Sequence, residues 1–358
     1  MKNASATLPP KQPTRTPLKK RSAMSVWVPL LSLAFLLAAS MVIGGGEHGI
    51  WQSAKFLLGN AEARANDHLH MVMTTLRLPR TLVALSAGAA LGIAGCLLQS
   101  ITRNPLADPG LMGVNAGAAL GVVALISLFG VDSSSASIVA ALLGALGASL
   151  IVVAIASSTK NKLTPLHLVL AGVALAATFR GATSFLLTSS DVSYDRYRYW
   201  ILGSLSGIST GEFLAVLPIF ALGIALALIF ARPTGALALG DDVATALGHR
   251  PATTRVVAIM AVTCLAGAAV ALCGPIAFLG LLAAFVARRI EPEKFSVQLL
   301  LAGWIGGCVL ILADIGARVI IRPYEAPAGV ILAVIGGPLL IVIARSRGMM
   351  TLRRPGGH

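Results

Sequence analysis

Charge is what this 358-residue chain lacks most: Asp, Glu, Lys and Arg together make up 12% of it, about half the share of an ordinary soluble domain. Cysteine supplies no framework. Cys96, Cys264, Cys273 and Cys308 lie inside apolar runs with no C-x-x-C pair, so disulfide and metal-thiolate scaffolds fall away and the four thiols read as small apolar side chains. Six histidines (His48, His68, His70, His167, His249 and His358) show no ligand spacing. The pair His68 and His70 reads as solvated loop residues or, at most, a weak metal contact. No G-x-x-x-x-G-K-[ST] loop occurs anywhere, so the chain does not bind ATP by that route. No catalytic constellation is present, and we expect no enzyme activity, no metal and no cofactor bound by this chain. Acids are scarce where an ion-driven carrier needs them. The 14 Asp and Glu fall almost wholly between apolar runs, whereas proton or sodium coupling calls for acids at mid-membrane. Asp314 is the exception, near one end of an apolar run.

What is present is hydrophobic: 56% of residues, with a mean hydropathy of +0.84. Runs such as Val26–Ala39 and Ile151–Ala156 are continuous. Strands of a membrane barrel would alternate polar and apolar over about 10 residues. In lipid the backbone must satisfy its own hydrogen bonds, so these runs read as helices, about 20 residues being needed for each crossing. The fold class expected is all-α, a polytopic membrane helix bundle with the lipid bilayer as its solvent. The net charge of +14 does not indicate nucleic acid, because the basic residues sit between and outside the apolar runs.

Ten spans fit, at about 26–45, 81–101, 111–130, 137–158, 164–187, 212–231, 254–272, 274–289, 297–316 and 327–345. The eighth is short and led by Gly-Pro. The basic N-terminal stretch imitates a signal peptide, but the first run exceeds the usual 7–15 apolar residues of one and reads as a retained span. Residues 1–25 form a basic, disordered cytoplasmic tail in this reading, 26–346 the transmembrane domain, and 347–358 a second cytoplasmic tail. Placing both termini in the cytoplasm puts nineteen of the 28 lysines and arginines inside, as the positive-inside rule requires. A faint repeat runs through the chain. Ala87-Gly88-Ala89-Ala90 with Gly95 recurs 179 residues later as Ala266-Gly267-Ala268-Ala269 with Gly274. Two inverted five-helix halves would produce this; so would small residues recurring at helix interfaces.

The longest inner loop, about 232–255, carries Leu237, Leu239, Val243 and Leu247 at roughly helical spacing, with Asp241 and Asp242 placed to start a short helix. A short amphipathic helix there is either a docking element for a soluble partner or a solvated linker.

The motifs then accumulate in order. Leu76-Arg77-Leu78-Pro79-Arg80-Thr81-Leu82 leads to Gly95-Cys96-Leu97-Leu98-Gln99 and Asn104-Pro105-Leu106-Ala107-Asp108-Pro109-Gly110. Trp200-Ile201-Leu202-Gly203-Ser204 follows, then Leu239-Gly240 with Ala246-Leu247-Gly248. Gly274-Pro275-Ile276-Ala277-Phe278-Leu279-Gly280-Leu281, Ala313-Asp314-Ile315-Gly316-Ala317-Arg318, Glu325-Ala326-Pro327-Ala328-Gly329-Val330 and Gly336-Gly337-Pro338 complete the series. Over about residues 26–346 the chain resembles the FecCD family of ABC-importer permeases, which serve siderophores, haem and cobalamin.

The resemblance implies ten spans per subunit in a bacterial inner membrane, and a pore shared with a second copy or a sister permease. It also implies a cytoplasmic ABC ATPase dimer that holds the ATP and magnesium, an extracytoplasmic substrate-binding protein and a ferric chelate substrate. Cobalamin or haem is the alternative cargo, and an ion-coupled secondary transporter the alternative class. Arg77, Arg80 and Arg318 match positions that pair with acids of the binding protein, and guanidinium groups suit that role by gripping carboxylates bidentately. Leu239, Gly240, Asp241, Asp242, Ala246, Leu247 and Gly248 match the segment that rests on the ATPase. Gln99, Asn104, Pro105, Gly274 and Pro275 are expected beside the pathway and its gate, with a helix break at Asn104-Pro105. Two positions depart from the family. Ala284-Phe285 stands where Pro-His is frequent, and Arg180 sits inside an apolar run that is usually uncharged. An arginine at that depth faces water or a partner, or snorkels to an interface. We expect it to line the pathway and favour an anionic chelate, such as a carboxylate siderophore.

Overall fold

The computed structural model describes residues 24–44, 49–131, 133–158, 164–188, 191–321 and 324–345. The tail expected over 1–25 lies almost wholly outside these, and the one over 347–358 entirely so, as do His48 and His358. Every described element is helical. The chain opens with α1 (Met24–Val42), followed by three short helices, α2 (Ile50–Leu57), α3 (Ala61–Ala65) and α4 (Asp67–Met71). A π-helical stretch, Val72–Arg77, leads into α5 (Leu78–Thr102). Then come α6 (Val114–Phe129), α7 (Ser134–Ser158), α8 (Pro165–Leu187), α9 (Asp191–Trp200) and α10 (Thr210–Ile229). Two short helices, α11 (Ala231–Ala238) and α12 (Asp241–Ala246), precede α13 (Pro251–Cys273), α14 (Leu279–Ile290), α15 (Phe295–Ile320) and α16 (Ala328–Arg345).

Each of the ten expected spans falls on a helix, and the boundaries follow from local chemistry. Pro165 and Pro251 occupy first-turn positions of α8 and α13, where a missing N–H costs nothing. Ser209 and Glu212 form a reciprocal capping box at the start of α10, satisfying two orphan donors. Among the described residues, six segments are long and apolar enough to cross a bilayer: Asp67–Thr102, which includes α5, and α7, α8, α10, α13 and α15. Helices α1, α6 and α16 are apolar but shorter. The eighth span is different in kind. Its helical part, α14, has 12 residues, about 18 Å of rise, against a hydrocarbon core of about 30 Å. Non-helical backbone precedes it from Gly274 to Phe278, with φ 71° and 67° at its two ends.

Helices α5 and α13 form the centre. In their most apolar windows 78% and 83% of residues are buried inside the chain, against 28% for α8 and α10. The two repeat-related runs therefore occupy the two most enclosed helices. Small residues make this possible. A Cβ on Gly92 would lie 2.1 Å from the carbonyl oxygen of Ala302 on α15, and one on Gly95 would lie 2.4 Å from that of Gly280 on α14. Gly92→Val is therefore expected to force α5 and α15 apart, costing about 1–3 kcal/mol or more and lowering the melting temperature in detergent. Gly147→Ala on α7, where a Cβ would meet nothing within 4 Å, should leave it unchanged or slightly raised.

Candidate functional site: two ionic nodes joined by one helix

Two clusters of charge sit at opposite ends of α5. Its 25 residues separate them by about 35 Å.

At the first end, Asp314 of α15 is fully buried and lies between two arginines. Arg80 donates from Nε to Asp314 Oδ1 at 2.8 Å, and from Nη1 to Glu325 Oε2 at 2.5 Å. Arg318 donates from Nη2 to Asp314 Oδ2. From Nη1 it donates to the Ser40 carbonyl at 2.8 Å and the Ile43 carbonyl at 3.3 Å, capping the end of α1. Arg77 joins the same end of α1, donating to the carbonyls of Met41 and Val42 and to Ser53 Oγ. The resemblance implies that these arginines pair with acids of a binding protein. In this chain they are 5%, 8% and 2% exposed for Arg77, Arg80 and Arg318 respectively, and their guanidinium groups are engaged within the chain. The reason is desolvation. Guanidinium groups enclosed by apolar helices need paired acids and carbonyls around them. Asp314, Glu325 and the free carbonyls at the end of α1 provide these.

At the other end, α5 stops at Thr102, where Arg103 takes a left-handed conformation with φ 51°. The break expected at Asn104-Pro105 thus comes one residue earlier, with Asn104 Oδ1 accepting from Leu106 N at 2.9 Å to stabilise the turn. Arg103 reaches Asp241 at the start of α12, and also donates from Nε to the Leu237 carbonyl at 3.2 Å. Arg255 of α13 donates to the same Asp241 oxygen at 2.6 Å. One carboxylate thereby ties α12 to both central helices. Burial pushes the Asp241 carboxyl up, but its bonds to Arg255 and then Arg103 outweigh this and hold it below the ordinary carboxylate range. The clamp is intact above about pH 4 and loosens as pH falls through that depressed value.

The expected 237–248 segment resolves into α11, a turn at Gly240 and α12. Asp241 and Asp242 do open α12. Leu237 is buried, whereas Leu239, Val243 and Leu247 are 71%, 41% and 61% exposed. Val243 and Leu247, four residues apart, share one face of α12 and its end; with Leu239, just before the Gly240 turn, they form an exposed apolar stripe with no partner among the described residues. Ala246 and Gly248 flank its far edge.

The residues expected beside the pathway do not form one cluster. Gly274 has φ 71° and a Cβ there would meet the Trp200 carbonyl at 2.3 Å, so only glycine fits. Gly203 packs in turn against the Pro275 carbonyl. This pair lies at the Asp314 end, Asn104 and Pro105 at the Asp241 end. Phe278, a non-glycine residue at φ 67°, marks where the non-helical segment turns into α14. Gln99 is fully buried on α5, and neither its Oε1 nor its Nε2 has a hydrogen-bond partner among the described residues. Ala284 is buried, and Phe285 lines a small apolar cavity with Pro105 and Leu339 while lying under the Arg289 guanidinium, 5.2 Å from carbon to ring centre. Arg180 stands apart, exposed on α8.

A central helix with ionic joints at both ends, beside a span broken at mid-depth, is an arrangement suited to relaying motion rather than to bond chemistry. The FecCD transport family model matches residues 31–346. The chain belongs to the FecCD transport family. This FecCD permease is 40% identical over 324 residues to the ferric enterobactin transport system permease protein FepD of Escherichia coli (strain K12), covering 90% of this chain and 96% of that protein. It is 36% identical over 332 residues to the probable siderophore transport system permease protein YfiZ of Bacillus subtilis (strain 168), covering 91% and 98%. Among solved structures it resembles a metal-chelate type ABC transporter in an inward-facing conformation, at a TM-score of 0.79 and 26% identity, covering 90% of this chain and 99% of that one. It is a multi-pass membrane protein of a permease family.

Sequence reasoning singled out Arg77, Arg80, Arg318 and Asp241 of the FecCD permease's two nodes and missed Arg103, Arg255 and Ser40, which carry no local signal. Asp314 does carry one: a lone acid inside an apolar run calls for a buried cation.

Proposed function

We propose that this chain is the membrane permease subunit of an ABC importer that carries a ferric siderophore complex into the cytoplasm. The observation that carries the reading is the family match over residues 31–346, together with relatives named for ferric enterobactin and siderophore transport. In this reading the Asp241 end faces the cytoplasm, in accord with the basic inner loops. The apolar stripe of α12 then docks into a dimeric ABC ATPase, which binds ATP and magnesium. The Asp314 end faces outward and receives a substrate-binding protein. There the buried arginines hold the mouth's helices together, and a docking acid reaches Arg80 only by competing with Glu325. Two copies, or this chain and a sister permease, enclose the pathway in the bacterial inner membrane.

The test is uptake of radiolabelled iron in cells lacking this gene and in complemented cells, supplied with catecholate, hydroxamate and carboxylate siderophores, haem, and separately labelled cobalamin. Loss of a ferric siderophore in the deletion, restored by the gene, is the expected result. Loss of cobalamin or haem uptake alone would move the assignment to those cargoes. Uptake abolished by a protonophore while ATP is preserved would indicate an ion-driven carrier instead.

A further inference from the structure

The exposed face of α8 changes character along its length. Leu166, Leu170 and Val173 are 65%, 57% and 50% exposed, as a lipid-facing helix would have them. One turn further the same face continues as Ala177, Arg180, Gly181 and Ser184, all exposed, with Thr178 beside them. Phe185 at the helix end is the apolar exception, 72% exposed; the small and polar residues around an arginine about 10 Å from that end otherwise suit hydrocarbon poorly. They are what a water-filled or partner-lined space requires. A Cβ on Gly181 would meet nothing within 4 Å, so the space is open.

Helix α9 follows directly, and its described side chains are aromatic and basic. Tyr194 and Tyr199 are 53% and 67% exposed, and the Arg198 guanidinium lies 5.3 Å from the centre of the Tyr199 ring. Asp195 pairs with Arg198 through a loose, exposed contact at 3.6 Å, and no acid pairs with Arg180 among the described side chains. Tyr197 is half-buried between these exposed rings. Burial pushes its phenol up, and the Arg180 guanidinium is close enough to pull the other way. The chain leaving α9 runs into the Asp314 end, where Ser206 Oγ donates to Glu325 at 3.4 Å.

We infer that Arg180 with Tyr194, Tyr197 and Tyr199 forms a selectivity surface for an anionic iron chelate bearing aromatic rings, of the catecholate type. Arginine supplies charge that is not lost at any working pH. The tyrosine rings offer faces on which aromatic ligand arms stack, and hydroxyls that bond their oxygens. A carboxylate chelate can use the charge and the hydroxyls but not the ring faces, and a neutral hydroxamate only the hydroxyls. This rests on the proposed import of ferric siderophores and names the class of siderophore.

The experiment uses the complete transporter, in cells, with radiolabelled iron presented as an anionic tris-catecholate, an anionic carboxylate chelate or a neutral trihydroxamate. Wild type is expected to import the catecholate. Arg180→Ala should lower that rate roughly tenfold, the worth of one charge-assisted contact, Arg180→Lys should keep most of it, and Tyr194→Leu with Tyr199→Leu should lower it several-fold. Membrane levels and melting temperatures of all variants should match wild type, since these side chains project from the surface. If wild type imports only carboxylate or hydroxamate chelates, this inference falls while the siderophore reading stands. The same holds if Arg180→Ala imports the catecholate at the wild-type rate, or if Lys rescues nothing. If wild type imports no ferric chelate, the reading beneath it falls.

Discussion

Asp314→Ala is expected to cost about 3–5 kcal/mol and to remove most folded protein from the membrane. The magnitude is that of leaving buried charges without their partner. Asp314 is one carboxylate shared by two guanidinium groups, each of its oxygens taken by a different arginine. Without it Arg80 and Arg318 face one another across an apolar interior with only Glu325, which is 35% exposed in its side chain, to answer either. Asp314→Asn should cost less, because an amide oxygen still accepts one bond. Pairing Asp314→Ala with Arg318→Met should recover part of the loss, since Arg80 and Glu325 then balance. Thermal unfolding in detergent, with the four proteins of this cycle, reads the coupling directly. Additive effects of the two substitutions would mean that Asp314 does not hold the arginines.

The same cluster explains what the amino-acid sequence could and could not disclose. The helices were legible because a bilayer imposes a length and a composition on each span, and α1, α5 to α8, α10, α13, α15 and α16 all answer to expected runs. The outer arginines were recognised as residues of consequence, but not as interior ones. Arg80 and Asp314 are separated by 234 positions, and no periodicity relates them. Burial of a cation is decided by which acid the fold brings to it. Likewise Asp241 and Asp242 read as symmetric helix-start acids. Only the meeting of α5, α12 and α13 singles out Asp241, with Arg103 and Arg255 on one oxygen. The eighth span was flagged by Gly274-Pro275, yet the extent of its non-helical segment depends on Trp200 and Gly203, which crowd Gly274 from another part of the chain. The short helices α2 to α4, of five to eight residues, went unforeseen because they fall below the length at which an apolar pattern registers.

Leu239→Asp with Leu247→Asp is expected to abolish import without unfolding the permease. The two side chains are 71% and 61% exposed, so in the isolated chain they hold little together and their replacement should leave the melting temperature within about 1 °C. In the transporter the argument reverses. Fully burying a leucine is worth about 1.5–3 kcal/mol. Losing two therefore weakens association with the ATPase by roughly 10²–10⁴-fold, and burying unpaired carboxylates adds to that. Affinity purification of the permease should then bring down no ATPase, and iron uptake should fall to the level of the deletion. Ala244 is the internal control. It lies next to Val243 but is 1% exposed, so Ala244→Leu should lower thermal stability by overpacking. If the double leucine variant still purifies with its ATPase and imports iron, the stripe on α12 is a solvated face. The Asp241 clamp would then tie a linker, not a drive element, to the central helices.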